Sequence, residues 1–330
     1  MTRAISLYSG GLDSTLATII VMYQGIEVIA INFEHPFSCK RKNPDSIAKN
    51  FSFELKYFPL GDKFLEIVKN PKFGYGKNMN PCIDCRILML KEVKKLMKEL
   101  GAEFIITGEV LGQRPMSQHI SALKSIEKET ELEGIILRPL SAKLLPETIP
   151  EKKGLVDRSK LFDFKGKTRK PQFDLARKFG LNDIPQPGGG CLLTDPVYSM
   201  RLKDLLRYKE PDIRDIELLK IGRHFRVSEK TKLIIGRNYD ENCQLEKFYQ
   251  KGDILLTPAD DIPGPSALIV KNENDKNISE EDIEFVAGIC AYYSDNKSGK
   301  VIIKVSSENL NMIFEVQPVE KYKIDRVRIQ

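Results

Sequence analysis

The chain opens on a short apolar run, Arg-Ala-Ile-Ser-Leu-Tyr at residues 3–8. Leu12, Leu16, Ile19, Ile20 and Tyr23 then recur at the three- and four-residue spacing of one helix face. The alternation repeats. Strand-like runs fall at Glu27–Phe33, Phe53–Phe58, Glu103–Thr107 and Gly134–Leu137. Helical periodicity is read over Asp62–Lys69 and again through Met89, Val93, Leu96 and Leu100, where Gly101 is placed to terminate the helix. Strands separated by helical segments predict βαβ crossovers and a mainly parallel, Rossmann-like α/β sheet with helices on both faces. Such sheets place ligands at the carboxyl ends of their strands, so chemistry is expected in the loops after residues 8, 33 and 107.

The pattern then changes twice. Residues 145–215 are richer in Pro, Gly and Lys, with one helical stretch near 171–180 and a Pro-Gly-Gly-Gly turn at 187–190. From about 216 the texture becomes short strands, such as Lys232–Gly236, Asp253–Thr257 and Val301–Val305. One helix interrupts them at Ser279–Tyr293, with Ser279 as N-cap and Asp282 placed as in a near capping box. The expected organisation is an α/β domain over 1–150, a basic connecting segment over 151–215 and a smaller α+β domain over 216–330.

Composition narrows the class. With 41% hydrophobic and 30% charged residues, the 330-residue chain reads as a globular protein, and no apolar run approaches the roughly 20 residues that span a bilayer. Met1-Thr2-Arg3 leads into a strand-like run and not into a signal peptide, so a cytoplasmic address without membrane attachment is expected. The net charge of +6 is modest, but residues 151–178 concentrate ten Lys/Arg against four acids. That stretch is either a solvated face or a contact for a polyanion.

The sharpest local signal is Ser9-Gly10-Gly11-Leu12-Asp13-Ser14, directly between the first strand and the first helix. Glycines there let consecutive N–H groups converge on an anion, and the helix adds unpaired N–H groups and the positive end of its dipole. Ser9 and Ser14 supply hydroxyls, and Asp13 can hold the Mg2+ that accompanies a polyphosphate. The Gly-Lys-Ser/Thr ending of a P-loop is absent. The six residues resemble instead the pyrophosphate loop of the ATP pyrophosphatases of the adenine nucleotide alpha hydrolase type, which cleave ATP to AMP and pyrophosphate.

Two further motifs extend the likeness over roughly residues 1–145. Gly108-Glu109-Val110-Leu111-Gly112-Gln113 with Ser117-Gln118, and Leu137-Arg138-Pro139-Leu140, resemble elements of the tRNA 4-thiouridine synthetases. The resemblance implies that Ser9, Gly10, Gly11, Asp13 and Ser14 grip the ATP phosphates. It also implies that Ile31, Asn32 and Phe33 flank the adenine and that Gly108 and Gln113 line the pocket. That family carries an RNA-binding region before the pyrophosphatase domain; none is read here, nor is a rhodanese-like extension to deliver sulfur. A substitute handle is expected at the C-terminus, where Gly236-Arg237-Asn238, Glu241-Asn242, Ile262–Ser266 and Ala287–Ser294 resemble the RNA-binding domain of NFACT ribosome-quality-control proteins.

Six cysteines stand at 39, 82, 85, 191, 243 and 290, and only Cys82 and Cys85 form a close pair. Pro81-Cys82-Ile83-Asp84-Cys85 opens a helix, whose dipole is expected to lower both thiol pKa values. Cys191 follows the triple glycine. One CxxC with one distant cysteine is one ligand short of a four-cysteine zinc site, whereas three thiolates suit a 4Fe–4S cluster with one open iron. Several tRNA thiolases of the superfamily use such a cluster, and the pattern here looks similar. Two alternatives stay open: persulfide chemistry, with Cys191 carrying sulfur and Cys82 or Cys85 resolving it, and structural zinc or plain core cysteines. His35, His119 and His224 are scattered and receive no role.

Together these readings predict a tRNA uridine thiolase: ATP, Mg2+ and a cluster as cofactors, Asp13, Cys82, Cys85 and Cys191 at the chemistry, and tRNA plus a sulfur donor (sulfide or a cysteine desulfurase) as partners. A homodimer is compatible with this reading. The rivals are a pyrophosphatase-type ligase using ammonia on a small acceptor, and an RNA- or ribosome-binding factor whose nucleotide site switches affinity.

Overall fold

A computed structural model describes residues 2–38, 44–181, 190–259, 262–270, 278–295, 299–308 and 311–330. Cys39 and most of the expected Pro-Gly-Gly-Gly turn, residues 187–189, lie outside the described residues. The chain divides into two units, Met1–Thr194 and Asp195–Gln330. The stretch 151–215, expected as one connecting segment, is therefore shared between them, and the described residues up to Thr194 belong to the first.

The first unit runs β1 (Arg3–Leu7), α1 (Leu12–Met22), β2 (Glu27–Glu34), α2 (Pro44–Phe51), β3 (Glu54–Pro59), α3 (Asp62–Lys69), α4 (Cys82–Leu100), β4 (Phe104–Thr107), α5 (Ile120–Thr130), β5 (Ile136–Leu137), α6 (Ile149–Lys152) and α7 (Lys170–Lys178). The strands form one parallel sheet in the order β3-β2-β1-β4-β5. Alternate residues of a strand face opposite sides. Ala4, Ala30, Phe104 and Ile106 join Leu12, Leu16, Ile19, Leu175 and Ala176 in one core beneath α1 and α7. Ile5, Leu7, Ile29, Ile31 and Ile105, the intervening positions, are equally buried, so both faces of the sheet are covered. That is why these strands read as continuous apolar runs.

The strand order reverses direction at β1, with β2 on one side and β4 on the other. The loops after β1 and β4 therefore leave the sheet side by side, which is where parallel sheets hold ligands. Gly101 ends α4 in the left-handed conformation at φ 64°, as its sequence position predicts. The expected strand at 134–137 is shorter: Gly134 sits at φ 73°, outside the strand region, and pairing begins only at Ile136.

The second unit comprises α8 (Pro196–Tyr208), α9 (Ile213–Leu218), β6 (Arg223–Arg226), β7 (Lys232–Ile235), α10 (Tyr239–Phe248), β8 (Ile254–Pro258), β9 (Ala267–Val270), α11 (Glu280–Tyr292), β10 (Val301–Ser306), β11 (Asn311–Val316) and α12 (Lys321–Val327). Its strands make an antiparallel sheet ordered β11-β10-β8-β9-β7-β6. Leu233, Ile235, Ala267 and Ile269 pack with α11 on one face, while Ile234, Leu268 and Val270 pack with Leu245 of α10 on the other. Among the described residues, three helices besides those of the opening stretch accompany the strands here, where the sequence predicts one. Ser279 caps α11 by accepting from the Asp282 backbone N–H. The Asp282 carboxylate does not close a capping box; it accepts from Ser228 Oγ at 2.7 Å and Thr231 Oγ1 at 2.6 Å, tying α11 to the β6–β7 turn.

Candidate active site

The loop between β1 and α1 is built to leave backbone donors open. Gly10 adopts φ 69°, a conformation glycine reaches without strain, and Gly11 caps α1 with no side-chain cap bond. The first-turn N–H groups are thus available to an anion. Ser14 Oγ donates to Gly11 O at 2.9 Å and stands 3.2 Å from Ser9 Oγ, which pins the loop from within. Ser9 itself is exposed, whereas Gly10, Gly11 and Ser14 are buried. The loop after β4 closes over it. A methyl group built on Gly108 would stand 2.5 Å from both Asp13 C and Ser14 N, so only glycine lets the two loops meet.

Asp13 is held by one oxygen. Gln113 Nε2 donates to its Oδ2 at 2.7 Å, while Oδ1 is buried without a hydrogen-bond partner among the described residues. A buried carboxylate oxygen left open beside an anion-binding helix start fits Mg2+, whose preferred ligands are hard oxygens. Gln113 is in turn held from α7, a contact the sequence gives no sign of: Gln172 Nε2 donates to Gln113 Oε1 at 3.1 Å.

Ile31, Asn32 and Phe33 occupy the C-terminal end of β2, with Ile31 paired to Leu7 and fully buried. Asn32 is half-buried, and the Phe33 ring lies 6.2 Å from Phe58. They are therefore one strand away from the phosphate loop, at the same edge of the sheet.

A buried ion network, absent from the sequence reading as a functional element, fixes the Gly108-Glu109 loop. Glu109, 2% exposed, meets Arg138 Nε at 2.9 Å and Arg86 Nε at 3.2 Å, and accepts from Thr107 Oγ1 at 3.0 Å. Arg138 continues to Glu127 at 2.5 Å. Burial alone would raise the Glu109 carboxyl, but the Arg86 and Arg138 guanidiniums hold it below the usual carboxylate range. The Leu137-Arg138-Pro139-Leu140 motif thus acts as an internal strut.

Cys82 and Cys85 begin α4, reached through a loop that Asp84 organises by accepting from the backbones of Lys72 and Phe73 at 3.0 and 3.1 Å. The expected lowering of both thiol pKa values does not occur. Burial raises Cys82, only partly opposed by Arg114 and Arg86, and pushes Cys85 up to about 12. Desolvation of a thiolate outweighs the helix terminus here. The Cys82 thiol donates to Asn80 Oδ1 at 2.9 Å.

The Cys191 segment lies against this loop and the end of β2. Cys191 bridges Ser38, Leu192 N donates to Phe37 O at 2.9 Å, and Met79 N donates to Leu193 O at 3.2 Å. Asn78 Nδ2 adds a bond of 2.7 Å to Thr194 O. The fold thereby brings the third cysteine's segment beside the loop that leads into α4 and the first two. It does not assemble a metal centre: among the described residues, no three of His, Cys, Asp and Glu form a group that could hold a metal ion. In this arrangement the three cysteines do not form the ligand set that a 4Fe–4S cluster needs.

Comparison with known proteins gives matches over two separate stretches of the chain. The family described as thiamine biosynthesis protein (ThiI) matches residues 1–144, and the family described as NFACT protein RNA binding domain matches residues 222–327. A probable tRNA sulfurtransferase of Thermococcus kodakarensis is 29% identical over 147 residues, covering 42% of this chain and 36% of the relative. A tRNA sulfurtransferase of Desulfurococcus amylolyticus is 30% identical over 149 residues, covering 42% and 29%. The chain thus spans about a third of the length of these curated relatives. The tRNA-specific 2-thiouridylase MnmA of Petrotoga mobilis is 20% identical over 349 residues, covering 96% of this chain and 90% of the relative. No helix of the described residues is long and apolar enough to cross a membrane. Residues 1–144 are thus similar to the ThiI family, and residues 222–327 to the NFACT RNA binding domain.

Proposed function

We propose that this protein thiolates a uridine of tRNA at the cost of ATP cleaved to AMP and pyrophosphate. The observation that carries the reading is the uncapped start of α1 at Gly11, roofed by Gly108, with one oxygen of Asp13 left open. In this scheme the amides of Gly10, Gly11 and the first turn of α1 hold the triphosphate, with Ser9 and Ser14 as hydroxyl partners. Ile31, Asn32 and Phe33 flank the adenine. Mg2+ held by Asp13 would neutralise charge on the phosphates. The uridine carbonyl oxygen attacks the α-phosphorus, pyrophosphate leaves, and the oxygen becomes part of an AMP leaving group. Preorganised amides favour that step because they face charge as it develops.

Sulfur delivery is assigned to thiol chemistry at Cys191 and Cys82. The terminal sulfur of a Cys191 persulfide, loaded by a desulfurase or by sulfide and an oxidant, attacks the activated carbon and AMP departs. Cys82, or Cys85, then attacks the Cys191 sulfur, releasing the thionucleoside and leaving a disulfide that an external thiol reopens. A cluster would require the three cysteines to draw together beyond the arrangement described. Anaerobically purified protein separates the two: about four iron and four sulfide per chain would establish the cluster and overturn the persulfide assignment.

The RNA is assigned to residues 222–327 and to the basic stretch at 151–178. Lys152, Lys153, Lys160, Lys165, Lys167, Lys170, Arg177 and Lys178 are exposed there, which suits a phosphodiester backbone. The target base must reach the phosphate loop, so it is flipped out or single-stranded. A cytoplasmic address accords with such a substrate. Mass spectrometry of tRNA nucleosides from cells with and without the gene tests the reading: loss of one thiouridine is expected, and an unchanged thionucleoside profile would refute it.

A further inference from the structure

Asp13 does not stand alone in its loop; it is the end of a buried polar chain that begins on α7. A carboxylate only accepts hydrogen bonds, so the Gln113 contact at 2.7 Å must be made by its amide Nε2. That fixes the orientation of the Gln113 amide and turns its Oε1 away from Asp13. Gln172 then meets Oε1 with its own Nε2 at 3.1 Å. Both glutamines are shielded, Gln113 at 7% exposure and Gln172 at 0%. In so dry a setting each link is strengthened and each broken link is costly. Gln172 is itself anchored, because Leu175 and Ala176 of the same helix belong to the core beneath α1.

We infer that Gln172 is a positioning residue for the metal–nucleotide site: by holding the Gln113 amide it confines Gln113 to Asp13 Oδ2 and keeps Oδ1 open for the cation that accompanies ATP. The inference rests on the nucleotide-binding reading above but adds a residue outside the stretch that the ThiI family matches. It also makes α7 part of the site. The outer side of that helix carries Lys170, Arg177 and Lys178, all exposed, so the helix proposed to meet RNA also sets the geometry of the phosphate loop.

The test uses the full chain with ATP and Mn2+, the bound ion being followed by electron paramagnetic resonance. Gln172→Met keeps side-chain length and removes the donor; a loss of roughly 3- to 10-fold in Mn2+ affinity is expected, the range for one buried hydrogen bond. Gln172→Glu replaces the donor by an acceptor and is expected to lose more. ATP binding in excess chelator should stay within about twofold of the wild type, because the amides of the phosphate loop are untouched. The decisive comparison is a double-mutant cycle with Gln113→Met. If Gln172 acts through Gln113, the second substitution adds nothing to the first. Additive losses, or Mn2+ affinity unchanged in both Gln172 variants, would overturn the inference. So would parallel losses of Mn2+ affinity, metal-free ATP affinity and melting temperature, which would mark a purely structural role. Pyrophosphate release with tRNA, measured on the same samples, separates the two levels. A wild-type protein that binds Mn2+ with ATP in this manner yet never releases pyrophosphate would sink the thiolation reading and leave the positioning role standing.

Discussion

Gly108 follows β4 and Ser14 lies in the first turn of α1, yet a side chain on the first would collide with the backbone nitrogen of the second at 2.5 Å. The contact couples the loop after β4 to the phosphate loop as a single body. Gly108→Ala must push one of them away, and backbone has little room to give. A destabilisation of about 1–3 kcal/mol is expected for such overpacking. Pyrophosphate release should fall at least tenfold beyond it, since the loop amides would lose their aim. A variant with wild-type turnover would show that the two loops need not touch.

The strut beneath that loop gives a second prediction. Glu109 is held below its ordinary carboxyl value of 4.5 by Arg86 and Arg138 against the opposing effect of burial. A carboxyl depressed in the folded state contributes stability that is full above about pH 4.5 and is lost as the pH falls through the lower, folded value. Removing Arg138 leaves the buried Glu109 only partly compensated, by Arg86 at 3.2 Å. Arg138→Met should therefore cost about 3–5 kcal/mol in chemical denaturation at neutral pH. Glu109→Gln should flatten the acid side of the stability profile. A profile identical to the wild type would remove the strut.

Thiol chemistry gives a third. With Cys85 pushed up to about 12 and Cys82 raised as well, neither should alkylate quickly at about pH 7.5 in the resting protein. Mass spectrometry after a timed iodoacetamide pulse reads each site. Rapid labelling of Cys85 would show that burial does not govern it. In the sulfur assignment, Cys82→Ser and Cys191→Ser should abolish thionucleoside formation while pyrophosphate release persists.

The second unit offers an independent check on its own core. Lys232, buried beside Asp204 at 3.1 Å, is lowered by burial from 10.5 to about 8, the carboxylate only partly opposing this. The unfolded chain therefore holds this proton more tightly, and stability should climb as the pH rises from about 8 toward 10.5. Lys232→Met should erase that climb. A slope that survives the substitution would assign it elsewhere.

What was readable in the sequence follows from what each signal depends on. The β1 loop and α1 could be read because Gly10 and Gly11 sit directly between an apolar run and a helical repeat. Gly101 announced the end of α4 by its place after Leu100. Gln172 could not be found: it is one polar residue in a basic stretch, and only the packing of α7 against α1 carries it to Gln113. The cysteines misled for a related reason. Their position at a helix start is local and visible, whereas the burial that outweighs it is a property of the folded chain. The extra helix α10 was hidden behind its own cap. Asn238 accepts from Glu241 N at 3.0 Å, but the polar face that follows gives little apolar periodicity.

The most direct measurement is the fate of ATP labelled at the α-phosphorus, incubated with the purified chain, Mg2+, a sulfur donor and tRNA. The account predicts labelled AMP, with unlabelled pyrophosphate in equal amount, formed only when tRNA is present and in step with new thiouridine. Labelled ADP, or AMP formed at the same rate without any RNA, would contradict it.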